Sequence, residues 1–271
     1  MATTDALADD LLQLAIDVAR EAGELVVTAR RSGVEVADRK SSPVDVVTQV
    51  DRDSEALIRA RLLAARPLDG FLGEEGGRGA SESGLTWVVD PIDGTVNFLY
   101  GIPHYAVSIA VVEGEPDPQT WSAVAGVVLN PATGELFTAR RGGGALLDGR
   151  PIRVAEPVPL PEALIGTGFA YSAATRAEQG AAMAHLLPRI RDIRRMGTAS
   201  LDLCAVASGR TNGYFERTLS AWDHAAGALI AREAGAIVKG AGERQPDRDF
   251  LLAAHPGLAP ELERLVIEAG A

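Results

Sequence analysis

Cysteine, lysine and long apolar runs are the scarce features of this 271-residue chain. Its one cysteine, Cys204, excludes an internal disulfide and fits a reducing compartment. Cys204 lies in the run Leu201-Asp202-Leu203-Cys204-Ala205-Val206-Ala207, where a thiol packs as a small hydrophobe rather than acting as a nucleophile. No stretch reaches the about 18 consecutive apolar residues of a membrane span. The acidic opening, Met1 to Asp10, has no basic region followed by an apolar core. The expectation is a cytoplasmic protein with no membrane partner.

Positive charge is also in deficit: 26 Lys and Arg stand against 37 Asp and Glu, a net −11. That sign is wrong for holding nucleic acid by broad electrostatics. An acidic protein can still bind an anion when metal ions sit between carboxylates and phosphate. Only Lys40 and Lys239 are lysines in an otherwise arginine-based set, so Lys40, in a loop, stands out. The four histidines, His104, His185, His224 and His255, form no zinc spacing, and His224 beside Asp223 reads as a bland helix residue. Arg140-Arg141-Gly142-Gly143-Gly144 lacks the Gly-Lys-Ser/Thr ending of a phosphate loop and reads as a turn between strands. Arg189 to Arg195 is a basic cluster over a strand, at a solvated or dimer-facing edge.

What is present is regular. Apolar residues make up 46 %, the profile of a globular protein. Leu7, Leu11, Leu14, Val18, Ala22 and Leu25 recur at helical spacing. After the loop Ser41-Ser42-Pro43, Val44–Val50 reads as strand, and a helix is expected from about Asp53 to Ala65. Short strands around Gly70–Leu72 and Thr86–Val89 each run into acidic residues. Ala106–Val112, Ala123–Leu129, Glu135–Ala139, Ala145–Leu147 and Leu164–Phe169 read as further strands. Helices are expected at Thr175–Leu187, Ala199–Ser208, Asp223–Ala234 and Leu258–Ala269, with strands at Asn212–Phe215 and Phe250–Ala253. Helices and strands come in blocks, which suggests stacked layers of each. No linker or repeat divides the chain, so residues 1–271 read as a single domain.

The most informative segment is Trp87-Val88-Val89-Asp90-Pro91-Ile92-Asp93-Gly94-Thr95-Val96-Asn97-Phe98. Pro91 cannot donate to a ladder, so the strand should end at Asp90 and the chain should turn through Asp93-Gly94 into a short helix. Taken alone, Asp-x-x-Asp reads as an Asx turn with a helix cap sooner than as carboxylates gathered for a hard cation. Gly73-Glu74-Glu75-Gly76 adds an acidic strand end, and Ala221-Trp222-Asp223-His224 an acidic helix start. Four such carboxylates suit a site in which metal ions clamp a phosphoryl group.

Asp90-Pro91-Ile92-Asp93-Gly94-Thr95-Val96-Asn97-Phe98 resembles the signature of the inositol monophosphatase family, and Trp222-Asp223…Ala226-Gly227 resembles its second signature. The likeness extends over Lys40-Ser41-Ser42-Pro43-Val44-Asp45…Val47-Thr48…Asp51, Gly73-Glu74-Glu75, Tyr105-Ala106-Val107-Ser108-Ile109 and Gly197-Thr198-Ala199-Ser200, in family order. It implies a mixed α/β fold, a five-layer αβαβα sandwich, assembled as a homodimer. It also implies hydrolysis of a small phosphorylated polyol or sugar with two to three Mg2+ ions, sensitive to lithium. By the same resemblance Glu74, Asp90 and the carbonyl of Ile92 hold one magnesium, and Asp90, Asp93 and Asp223 a second. Glu74 would also orient a third. Thr95 and Asp51 would position and deprotonate the attacking water. Gly94 and Thr95 amides would hold phosphate, with Asp93, Gly197, Thr198, Ala199 and Glu216 on the substrate and Lys40 on a nearby loop. Read without the family, Glu216 could equally be a surface glutamate. The implied substrate is myo-inositol 1-phosphate; relatives on this scaffold take fructose 1,6-bisphosphate, histidinol phosphate or 3′-phosphoadenosine 5′-phosphate. The short glycine-rich stretch between Glu75 and Trp87 favours small substrates. A non-catalytic binding protein on the same scaffold is the rival from another class.

Overall fold

Strands whose residues are apolar on both faces must be covered on both faces, and two sheets of this kind set the architecture. The computed structural model describes residues 3–33, 36–39 and 46–270. The loop Lys40-Ser41-Ser42-Pro43, with Val44 and Asp45, lies outside the described residues.

Helices α1 (Asp5–Ser32) and α2 (Gln49–Ala65) flank a two-stranded ribbon of β1 (Val36–Arg39) and β2 (Val46–Thr48). The larger sheet comprises β3 (Gly70–Gly73), β4 (Gly77–Gly79), β5 (Leu85–Asp93), β6 (Ala106–Glu113), β7 (Ser122–Leu129), β8 (Leu136–Arg140), β9 (Gly144–Leu147) and β10 (Arg150–Ile152). Its order is β10-β9-β8-β7-β6-β5-β3-β4, antiparallel apart from the β3–β5 pair. The short helix α3 (Thr95–Tyr100) follows β5. The smaller sheet, in order β12-β11-β13-β15-β14, comprises β11 (Leu164–Thr167), β12 (Asp192–Arg194), β13 (Gly213–Glu216), β14 (Ile237–Lys239) and β15 (Leu251–Ala254). Helices α4 (Ala173–Leu186), α5 (Ala199–Ala207), α6 (Ala221–Glu233) and α7 (Ala259–Ala269) complete the chain.

Alternation along the strands sorts the core into three slabs. Trp87, Val89, Ile109 and Val111 face α1 and α2, joined by Leu11, Val18, Ile58 and Leu62. Val88, Ala110, Val112 and Val128 face the opposite way, against Leu203, Ala226 and Ile230 of α5 and α6. Tyr214, Leu251 and Ala253 close that slab from the smaller sheet. The outer face of the smaller sheet, with Ile165, Phe215 and Leu252, meets Met183 of α4 and Leu262 of α7. The layers therefore run helix, sheet, helix, sheet, helix, the five-layer arrangement implied by the resemblance. Among the described residues no helix is long and apolar enough to cross a membrane.

Of the boundaries that differ from the sequence reading, two bear on the acidic residues. The helix expected from Asp53 starts at Gln49, because Thr48 caps it and Asp51 closes a capping box. The strand expected to end at Asp90 continues to Asp93. Asp90 pairs with Ser108 and Asp93 with Ala106, so three steps on β5 answer two on β6. That is a β-bulge, and it takes in Pro91 because no ladder N–H is required there. The shortest edge strands, β4, β10 and β14, were not legible: three residues carry no usable alternation.

Trp87 is fully buried, and its indole Nε1 donates to Asp69 Oδ2 at 3.1 Å. Trp87→Ala is expected to lower unfolding free energy by about 3–5 kcal/mol. Ile237→Ala, on the edge strand β14, should cost under about 1 kcal/mol. Urea unfolding followed by circular dichroism checks both values.

Candidate active site

The bulge decides where the acidic residues point. Side chains alternate along a strand, so residues three apart would face opposite sides of a regular β5. One extra residue restores the parity, and Asp90 and Asp93 line the same cleft. The intervening loop is fastened. Ile92 N donates to Asp90 Oδ1 at 3.1 Å, and Ser54 Oγ donates to the Pro91 carbonyl at 3.3 Å.

Glu74 follows β3, which runs parallel beside β5 with Gly73 opposite Val89, so Glu74 emerges next to Asp90. The two carboxyl groups come within hydrogen-bonding reach of each other. Asp223 enters from the first turn of α6, where its Oδ2 accepts from Ser220 N at 2.6 Å. Asp93 is gripped by the first turn of α5: its Oδ2 accepts from Ser200 N at 2.8 Å and Ser200 Oγ at 2.5 Å. Glu74, Asp90, Ile92, Asp93 and Asp223 thus share one cleft of about 450 Å³, within the range of small-molecule sites.

Burial pushes the Asp90 carboxyl well above the usual carboxylate range, and the charges of Glu74, Asp93 and Asp223 push it the same way. Burial likewise raises Asp223, with Asp93 and Glu74 adding to it. Asp93 is raised by burial too, against the opposing pull of the Ser200 hydrogen bonds. Among the described residues no Lys or Arg forms an ion pair with Asp90, Asp93 or Asp223. Buried Asp90 and Asp93 with half-buried Glu74 and Asp223, none of the three aspartates in an ion pair among the described residues, form a set of oxygen donors that fits hard divalent cations such as Mg2+. As they stand, no three His, Cys, Asp or Glu side chains among the described residues converge closely enough to enclose an ion.

Behind the carboxylates, Thr95 Oγ1 lies 3.2 Å from Asp51 Oδ1 and 3.2 Å from the Ile92 carbonyl, two acceptors for one hydroxyl proton. Asp51 is buried, and its Oδ2 accepts from Thr48 N at 2.8 Å and Thr48 Oγ1 at 2.5 Å. Gly94 adopts a left-handed conformation, φ 91°, and caps α3. A Cβ there would sit 3.0 Å from Thr198 Cγ2 and 3.3 Å from the His104 carbonyl, so only glycine fits.

The remaining expectations divide. Gly94, Thr95, Gly197, Ala199 and Glu216 line the cleft. Thr198 does not: it is buried and caps α5, its Oγ1 accepting from Leu201 N at 3.1 Å. Lys40 lies outside the described residues. Cys204 is buried and burial pushes its thiol up, which leaves it inert. His224 is buried, held down to about 4 by burial, and lies beside Trp121 rather than in the cleft. Arg194 belongs to the edge strand β12, as the basic cluster suggested. Ser200 and Thr48, which orient Asp93 and Asp51, stand within the family-like segments but were given no role there. By themselves they read as small hydroxyl residues at a helix start, a common cap.

Comparison with known proteins agrees with this geometry. The model of the inositol monophosphatase family matches residues 7–269. Inositol-1-monophosphatase SuhB of Mycobacterium tuberculosis is 48 % identical over 233 residues, 82 % of this chain and 78 % of its own. A protein of Xylella fastidiosa named Nus factor SuhB is 39 % identical over 269 residues, 96 % of this chain and 95 % of its own. The crystal structure of extragenic suppressor protein SuhB from Bartonella henselae superposes with a TM-score of 0.87 at 37 % identity, covering 95 % of this chain and 98 % of that one. On sequence, fold and the placing of the signature carboxylates, the chain belongs to the inositol monophosphatase family.

Proposed function

We propose that this protein hydrolyses myo-inositol 1-phosphate, or a closely similar polyol phosphate, to the free alcohol and inorganic phosphate. The observation that carries the reading is the convergence of Glu74, Asp90, Asp93 and Asp223 on one cleft, with the Thr95–Asp51 pair at its wall. Glu74, Asp90 and the Ile92 carbonyl would hold one Mg2+, and Asp90, Asp93 and Asp223 a second, with Glu74 orienting a third. When bound, the ions supply charge for the phosphoryl oxygens and the departing alkoxide and acidify a bound water.

The chain's own groups do the rest. Thr95 Oγ1 accepts a proton from the attacking water and passes its own to Asp51 Oδ1. Thr48 keeps Asp51 aimed through its two hydrogen bonds to Oδ2. The amides of Gly94 and Thr95 hold the phosphate as water attacks in line, opposite the leaving oxygen. Gly197, Ala199 and Glu216 face the alcohol portion. No enzyme-bound covalent intermediate is required. Homodimeric assembly and lithium sensitivity belong to the same reading.

The relative named as a Nus factor motivates a second reading, a binding protein on this scaffold. Retention of the whole carboxylate set favours catalysis. Phosphate release from inositol 1-phosphate, fructose 1,6-bisphosphate, histidinol phosphate and 3′-phosphoadenosine 5′-phosphate distinguishes the two. Release that requires magnesium, stops with chelator and is strongest on inositol 1-phosphate is expected. A folded, magnesium-binding protein that releases phosphate from none of them would establish the binding role instead.

Asp93→Asn should lower kcat at least about 100-fold, with circular dichroism unchanged. Thr95→Ala should lower kcat by about 10²–10⁴-fold, the range of general acid–base catalysis. Normal turnover in either folded variant would sink its assigned role.

Burial pushes the Glu216 carboxyl up to about 7. Below that pH it gains a proton and stops acting as a pure acceptor. KM for inositol 1-phosphate should therefore rise as pH falls from 8 to 6, more than KM for p-nitrophenyl phosphate, which has no hydroxyl to recognise.

A further inference from the structure

Glu216 is the one acidic side chain of the cleft that stands on the smaller sheet, apart from the carboxylates assigned to metal. Its surroundings are built with unusual restriction. Tyr214 lies two residues earlier on β13, so the two side chains share a face of the strand. The Tyr214 ring is fully buried, and its hydroxyl donates to Glu216 Oε2 at 2.5 Å. That bond commits one carboxylate oxygen and leaves Oε1 as an acceptor toward the cleft.

The neighbouring strand is bare where these two side chains cross it. β11 runs parallel to β13 with Gly166 opposite Tyr214 and Thr167 opposite Phe215, which brings Gly168 beside Glu216. A Cβ on Gly166 would sit 3.3 Å from Tyr214 Cδ2. A Cβ on Gly168 would overlap both oxygens and Cδ of the Glu216 carboxylate. Gly168 has no positive φ, so its backbone would accept alanine; what excludes a side chain there is the carboxylate. Beneath lies Asp202, buried on α5 with its Oδ2 lacking a partner and its carboxyl pushed well above the usual carboxylate range by burial, so it offers Glu216 no cationic partner that would draw it inward.

We propose that Gly168 and Tyr214 are positioning residues that lock Glu216 as a hydroxyl acceptor and thereby make the cleft selective for phosphate monoesters of polyols. The inference rests on the phosphatase reading above and adds to it the source of discrimination. A glutamate held in a slot meets the substrate already ordered, so its hydrogen bond contributes to binding without first losing side-chain freedom. An ester with no hydroxyl near the phosphate gains nothing from the slot. Hydrogen bonds to a charged acceptor discriminate well because an unmatched buried carboxylate is left without its partner.

Gly168→Ala and Tyr214→Phe test this through the ratio of kcat/KM for inositol 1-phosphate to that for p-nitrophenyl phosphate. Each variant should lower the ratio about tenfold, through KM for the polyol ester rather than through kcat. Adding Glu216→Ala to Gly168→Ala should lower the ratio no further, since both changes remove the same contact. Variants that retain the wild-type ratio, or that lose both esters equally, overturn the proposal. Tyr214→Phe decides alone if Gly168→Ala fails to fold. Wild-type protein that hydrolyses neither ester would overturn the phosphatase reading itself, and this inference with it.

Discussion

Like charges buried together repel, and the architecture is organised around holding them in place. Asp51, Asp93 and Asp223 are each held at the first turn of a helix. Asp51 closes the capping box of α2, Asp223 accepts from the Ser220 amide before α6, and Asp93 accepts from the Ser200 amide at the start of α5. Helix N-termini carry about half a positive charge and present N–H groups without intrahelical partners. Three such ends directed at one cleft compensate part of the negative charge before any cation arrives. The remaining excess is what suits the cleft to a hard cation.

The bulge in β5 is the second constraint. Without it Asp90 and Asp93 would fall on opposite faces of the larger sheet, one in the slab with α1 and α2, the other in the slab with α5 and α6. Pro91 and the extra residue bring both to the edge of the inner slab, where α5 and α6 begin. The five-layer stack therefore serves the site directly. Its middle helices lie between two sheets, and their N-termini open into the cleft between them.

Much of this was legible. The apolar periodicity of α1 and α7 follows from spacing that a half-buried face imposes, while β5, β6, β7, α5 and α6 show as near-continuous apolar runs because they are covered on both sides. Three-residue edge strands such as Gly77–Gly79 and Ile237–Lys239 did not show, because their pairing partners rather than their residues make them strands. The acidic residues were legible as types at element ends. Their orienting partners were not: a serine at 200 or a threonine at 48 resembles any helix cap until its target is known. Thr198 shows how a motif position can also serve the fold: its hydroxyl caps α5 and lies beside Asp93.

The sequence alone determined which acidic side chains stand at element ends and where the backbone must depart from regular structure. Proline at 91 has no donor, and glycine at 94 has no Cβ; these are local covalent facts. Tertiary structure decided which oxygens face one another, and that no local rule could supply. The facing of Ser200 on Asp93 spans 107 residues, and that of Thr95 on Asp51 spans 44. Such pairs form only when the apolar faces of α2, α5 and α6 are buried against the sheets, since burial of area, not the polar contacts, fixes how the layers stack.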